Sequence, residues 1–297
     1  MNIAKIIIII FINLLVISCV TAQISHGTVK EGLLADSEIL GKQVRYTIYL
    51  PYDYNTSLRY YPVVYLLHGY TDNDAGWLQY GEINRIADKA IASGDLPPMI
   101  IVMPDAELTW YLNNYDNSVR YEDFFFDEFI PYIESEYRIR TRKRFRGIAG
   151  LSMGGFGTLV YALKHPDMFS ACAALSAAVF TSEELVEFDD ARWENRFRDV
   201  YGPGLKGEAR LTEHLLENNP LYIIRNSNPD DLKKVRYYID CGDDDFLYKG
   251  NSTLHILMRD MGIEHQYRVR DGKHSWPYWR SGILDGLKFI GESFHLH

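Results

Sequence analysis

The chain has 297 residues, with 31 Lys and Arg against 40 Asp and Glu, for a formal charge of −9. An acidic chain with no basic stripe excludes a nucleic-acid partner, and this length suffices for one large α/β core. Aromatic residues make up 14 % of it, enough to furnish both a core and stacking surfaces.

Lys5 precedes an apolar run over 6–17 that only Asn13 interrupts. Such a run is too short to span a bilayer and matches the apolar region of a signal peptide. Val20, Thr21 and Ala22 are small residues before Gln23. They predict a leader over 1–22 and a single exported domain over 23–297, periplasmic or secreted. The stretch Val16-Ile17-Ser18-Cys19 supports a rival reading, a bacterial lipobox with a lipid anchor at Cys19.

Residues 28–34 and 44–50 read as early strands, antiparallel at a sheet edge. An apolar strand over 61–67 runs into His68-Gly69-Tyr70-Thr71. Ile83, Ile86, Ala87, Ala90 and Ile91 recur at helical spacing over 82–93, with Gly94 as the stop. The short apolar run 99–103, between Pro98 and Pro104, is that of a central parallel strand. A helix is predicted over 121–137 with a kink at Pro131. The basic run after it (Arg138, Arg140, Arg142, Lys143, Arg144, Arg146) complements that acidic helix. Further strands are predicted at 171–175, 235–241 and 265–270, and a helix over 251–261. Strands alternating with helices imply a mostly parallel sheet covered on both faces.

One stretch breaks this rhythm. Residues 176–233 hold no core strand and are rich in charge, with Trp193 among them. They form an insertion, either a cap over the active-site end or a solvated helical excursion.

Gly150-Leu151-Ser152-Met153-Gly154 carries the chemistry. It fits G-x-S-x-G, with a strand before it and a helix over 156–164 after it. A serine on that strand-to-helix turn is strained and exposes its hydroxyl above the sheet. Acyl transfer by serine also needs a base, a group that orients the base, and an oxyanion hole. Asp243, Asp244 and Asp245 follow the strand over 235–241, and His274 follows the next strand. An acid and then a base on loops after successive strands is the required chain order, at the strand ends where open α/β sheets bind ligands. From the residues alone, all three carboxylates stay open, since Asp also serves as a turn former. The oxyanion donors expected are the N–H groups of Met153 and Tyr70, with Thr71 the alternative to Tyr70. His68 would orient the latter loop.

Trp77, Trp110, Tyr111 and Trp276, with Trp279, are candidate stacking surfaces for sugar or aromatic acyl groups. No histidine, cysteine or acidic cluster has zinc spacing, and serine chemistry needs neither metal nor cofactor. Cys172 and Cys241 read as buried core thiols rather than a disulfide.

LLHGYTDNDAGW (66–77), GLSMGGFG (150–157), CGDDDFLY (241–248) and DGKHSWPYW (271–279) together resemble the esterase D-type α/β-hydrolases. That group includes feruloyl and acetyl-xylan esterases of carbohydrate esterase family 1, S-formylglutathione hydrolases, tributyrin-type esterases and the mycolyltransferase antigen 85. The resemblance covers about residues 30–292. It implies the α/β-hydrolase fold, with Ser152 as nucleophile and His274 as base. The last position of the family's G-x-x-D pattern makes Asp245 the acid. It further implies an ester or acylated oligosaccharide substrate, and export favours feruloyl or acetyl esters of xylan. A general short-chain esterase and an acyltransferase are the alternatives on the same scaffold.

Overall fold

A computed structural model describes residues 26–295. The predicted leader, its cleavage site and the Cys19 lipobox lie outside the described residues. Eight strands form one sheet: β1 (Thr28–Ser37), β2 (Lys42–Leu50), β3 (Val63–Leu67), β4 (Ile100–Pro104), β5 (Arg146–Leu151), β6 (Ala171–Leu175), β7 (Arg236–Gly242) and β8 (His265–Arg270). Their spatial order is β1-β2-β4-β3-β5-β6-β7-β8. The pairs β1–β2 and β2–β4 are antiparallel, and every later pair is parallel. Strands β3 to β6 are buried along their whole length, as continuous apolar runs in a doubly covered sheet must be.

Each face has its own core. On one, Ile83, Ala87 and Ile91 of the helix Ile83–Ser93 meet Ile283, Leu287 and Ile290 of the helix Trp276–His295. On the other, Leu159 and Val160 of the helix Met153–Lys164 pack with Phe125, Phe129, Leu254 and Met258. The long final helix is not among the elements expected from the sequence. Its signal is present, since Pro277 sits in the first turn and Ile283, Leu287, Ile290 and Phe294 follow at helical spacing. Among the described residues, no helix is long and apolar enough to cross a membrane.

The helix expected over 121–137 is present in three parts: Tyr121–Asp123, a π-helical stretch Phe124–Phe129, and Ile130–Glu136. Pro131 has no N–H to continue the ladder. The irregularity falls in the wide turn ahead of it, where the Ile130 N–H reaches back to the Phe125 carbonyl. The basic run that follows is tied down locally. Arg146 is buried against Glu134 at 2.6 Å, and it also bonds the Thr141 and Met168 carbonyls.

Between β6 and β7 the chain makes five short helices: Ser182–Glu187, Asp190–Tyr201, Glu213–Glu217, Pro220–Asn226 and Pro229–Leu232. Each starts on its own side-chain cap, from Thr181, Asp189, Thr212, Asn219 and Asn228. Fully buried Arg210 ties the first two of them to the chain that follows. Its guanidinium donates to the carbonyls of Leu185, Val186, Phe188 and Leu205 and pairs with Asp190. It also lies over the Trp193 ring at 4.8 Å.

Candidate active site

Ser152 stands between β5 and the helix Met153–Lys164 with φ 53° and ψ −117°. This backbone is strained for an L-residue. Two glycines make the turn possible by close approach. A Cβ on Gly150 would lie 2.4 Å from the Gly154 carbonyl oxygen, and one on Gly154 would lie 2.4 Å from that of Leu67. The Ser152 N–H donates to the Leu175 carbonyl at 3.0 Å, and its own carbonyl accepts from Phe156 and Ala178. The turn is thus held on three sides, and the side chain is left partly open.

The loop after β7 turns one carboxylate inward. Asp245 is 1 % exposed, whereas Asp243 and Asp244 face solvent. The Asp245 oxygens lie 2.9 and 3.1 Å from Nδ1 of His274, and Oδ1 also accepts the Leu247 N–H at 2.9 Å. The carboxylate accepts a hydrogen bond from Nδ1–H, so Nε2 is left as the acceptor. Nε2 lies 2.9 Å from Ser152 Oγ. Burial pushes the Asp245 carboxyl up. The bond and the attraction of His274, with the Leu247 N–H, outweigh burial and hold it below its ordinary value.

The acid and base loops are laced together. The Asp243 N–H donates to the Arg270 carbonyl and the Asp244 N–H to that of Gly272, while Asp243 Oδ1 accepts the Gly272 N–H at 2.9 Å. Beneath them Asp240, wholly buried, accepts two bonds from Arg270 and one from the Tyr278 hydroxyl at 2.5 Å. Asp240 near the end of β7 and Arg270 at the end of β8 therefore hold the two loops at a fixed spacing.

The loop after β3 abuts the nucleophile. A Cβ on Gly69 would lie 3.6 Å from Ser152 Cβ, so Tyr70 follows a residue in contact with the elbow. The Met153 N–H lies in the first helical turn, where no intrahelical acceptor exists. These are the two groups expected to bind an oxyanion. His68, 1 % exposed, anchors the loop. Its Nε2 accepts the Ala106 N–H at 2.9 Å, so Nδ1 carries the proton and bonds the Gly69 carbonyl at 2.8 Å. A second donor at Nε2 would meet the Ala106 N–H head-on. The 3.5 Å approach of Asp105 is therefore not a hydrogen bond.

The expected stacking surfaces divide. Trp77 and Tyr111 have no exposed surface. The Trp77 Nε1–H bonds the Leu67 carbonyl and the Tyr111 hydroxyl bonds that of His68, so both brace the β3 loop from below. Trp110 is 3 % exposed and donates to the Arg196 carbonyl. Rings this deep present no face to a ligand, which corrects the expectation for these three. The apolar environment beneath the loop outcompetes solvent for them. Trp276 is partly open, with its ring 5.6 Å from that of exposed Tyr80. Sequence reasoning missed Phe246, which is 57 % exposed with its ring 4.6 Å from that of His274. Its position directly after Asp245 was the available signal.

The segment between β6 and β7 reaches this site. The Tyr70 hydroxyl bonds the Asn195 carbonyl, and Arg196 lies over the Tyr70 ring at 5.4 Å. Trp110 packs on Phe197 at 4.8 Å. Among the described residues, no group of three or more His, Cys, Asp or Glu side chains is placed to hold a metal. Cys172 and Cys241 are free and buried.

The Esterase family, described as "Putative esterase", matches residues 37–290. A solved ferulic acid esterase superposes with a TM-score of 0.77 at 33 % identity, covering 91 % of this chain and 99 % of that one. An endo-1,4-beta-xylanase/feruloyl esterase of Xylanibacter ruminicola is 33 % identical over 170 residues, 55 % of this chain and 23 % of that protein. The match thus spans about a quarter of that relative's length. An acetyl esterase of Caldicellulosiruptor saccharolyticus is 27 % identical over 235 residues, 77 % of this chain and 83 % of that protein. With its eight-stranded, mostly parallel sheet and its helices on both faces, the chain has the α/β-hydrolase fold and belongs to the Esterase family.

Proposed function

We propose that this chain is an exported serine carboxylic-ester hydrolase that removes feruloyl or acetyl groups from xylan fragments. The observation that carries the reading is the continuous hydrogen-bonded line from Ser152 Oγ through His274 to Asp245. Ser152 attacks the ester carbonyl while His274 Nε2 takes its proton. His274 then returns that proton to the leaving alcohol, and Asp245 keeps the imidazole in the tautomer required. The N–H groups of Met153 and Tyr70 receive the developing oxyanion, with the positive end of the following helix behind Met153. Water enters after the alcohol departs, and His274 acts as base again to release the acid.

The acyl class rests on the relatives named ferulic acid, feruloyl and acetyl esterase. Export rests on the apolar segment at 6–17 and the small residues before Gln23, with the Cys19 anchor as the alternative. Hydrolysis of methyl ferulate, acetylated xylan and p-nitrophenyl acetate, beside Ser152→Ala, tests the whole. The expected result is preference for ferulate or acetyl-xylan, and a loss of about 10⁴ or more in kcat in the variant. Full turnover by Ser152→Ala would end the serine reading. Turnover of p-nitrophenyl acetate alone would end the xylan assignment.

A further inference from the structure

Two rings touch the imidazole of His274. Trp279 lies edge-to-face with it, with centroids 4.8 Å apart and planes at 88°. This indole is buried, and its Nε1–H donates to Ser176 Oγ at 2.9 Å, so it offers no face to a ligand. Phe246 lies closer, with centroids 4.6 Å apart and planes at 51°, and its side chain is exposed. It stands between two buried residues, Asp245 and Leu247. The turn holds it there without help from its own ring. The Leu247 N–H donates to Asp245 Oδ1 at 2.9 Å and the Tyr248 N–H to the Asp245 carbonyl at 3.0 Å. Asn251 Nδ2 then ties the Leu247 carbonyl, at 2.9 Å, to that of Ala177, at 2.8 Å. A single exposed aromatic ring is ordinary on a protein surface. This one is set apart because a pinned turn holds it open against the base.

We propose that Phe246 is a specificity-determining residue whose open face receives the sugar of the leaving alcohol. The proposal rests on the Ser152–His274–Asp245 reading and the xylan-ester substrate above, and names the side of that substrate which Phe246 contacts. In the tetrahedral intermediate the carbonyl carbon carries Ser152 Oγ, the oxyanion, the acyl chain and the ester oxygen of the leaving alcohol. The oxyanion turns to its N–H donors. The ester oxygen must come within hydrogen-bond reach of His274 Nε2, because that nitrogen gives it a proton as the carbon–oxygen bond breaks. Whatever is bonded to that oxygen therefore lies beside the imidazole, where the open ring is Phe246. A furanose or pyranose presents C–H groups on its faces, which suit the negative face of an aromatic ring. A methyl alcohol is too small to cover that face. The contact is on the alcohol side, so it is blind to whether the acyl group is feruloyl or acetyl.

The experiment compares esters that share an acyl group and differ in the alcohol: a feruloylated arabinoxylan oligosaccharide against methyl ferulate, and an acetylated xylo-oligosaccharide against methyl acetate. kcat/KM is measured for wild type, Phe246→Ala, Phe246→Leu and Phe246→Tyr, with a thermal melt of each. In Phe246→Ala, kcat/KM on the oligosaccharide that wild type hydrolyses should fall about fivefold or more, while the matching methyl ester stays within about twofold. Phe246→Tyr keeps the ring and should hold the oligosaccharide rate within about twofold of wild type. Phe246→Leu is apolar without a ring and should fall between the two. Equal losses on both esters would make Phe246 a support of His274 and overturn the proposal, as would the absence of a loss on either. Wild type hydrolysing only the methyl esters would overturn the xylan reading and this proposal with it. Full activity in Ser152→Ala would overturn the serine reading beneath both. Those two failures are read without any Phe246 variant, so they are distinct from failure of the proposal alone.

Discussion

Replacing Asp245 by Asn isolates one atom of the site. Oδ1 accepts the Leu247 N–H at 2.9 Å, so the amide oxygen of Asn takes that place and its NH₂ falls where Oδ2 stands. That NH₂ points at Nδ1 of His274 from about the same position, 2.9 Å away. Two donors cannot face each other, so the imidazole proton moves to Nε2. Nε2 then presents N–H to Ser152 Oγ at 2.9 Å instead of a lone pair, and the nucleophile has no base. Loss of the correct tautomer costs on the order of 10⁴ in kcat, equal to about 5.5 kcal/mol at roughly 1.36 kcal/mol per decade. The neighbours behave differently. In Asp243→Asn the amide oxygen still accepts from Gly272 and Asp244, and in Asp244→Asn the side chain is exposed. Both should stay within about threefold of wild type. The assay is kcat on p-nitrophenyl acetate, with thermal melts to show that each variant is folded. Asp245→Asn within tenfold of wild type, or Asp243→Asn the more severe, would refute the argument.

Three further outcomes follow from packing and charge. Gly154→Ala places a methyl 2.4 Å from the Leu67 carbonyl oxygen and 2.5 Å from that of His68. The elbow and β3 must separate, so stability should fall by about 1–3 kcal/mol and activity with it; an unchanged melting temperature would contradict the close approach. Arg210→Met strips donors from four carbonyls, that of Leu185 buried and the others half-buried, at about 1–3 kcal/mol for each that water fails to reach. Limited proteolysis should then cut within 182–210 first, and cleavage elsewhere would refute Arg210 as the tie of those two helices. Burial raises the Glu122 carboxyl, but the His165 and Lys164 bonds outweigh it and leave it lowered. A carboxyl lowered in the fold contributes stability that is present above its unfolded value, near 4.5, and lost as pH falls through the folded value. Wild type should therefore lose more stability than Glu122→Gln between about pH 5 and 3; parallel losses would show that the pair contributes nothing.

Much of this protein is legible in one dimension because its signals are local. The glycines around Ser152 announce a turn that only a missing Cβ allows, and the runs over β3 and β4 are apolar end to end because both faces of the sheet are covered. The order of serine, acid and histidine along the chain reflects strands that deliver their loops to one edge. What the tertiary structure decided concerns groups distant in sequence. Residue types alone left three adjacent aspartates equal, and only the turn over β7 buries Asp245 and leaves Asp243 and Asp244 in water. The roles of Trp77 and Tyr111 depended on which side of the β3 loop they reach, and composition carries no direction. Ser176 and Trp279 lie 103 residues apart, so no spacing could pair them. Their hydrogen bond exists only because parallel strands bring the end of β6 beside the start of the last helix, where a buried indole N–H must find an acceptor.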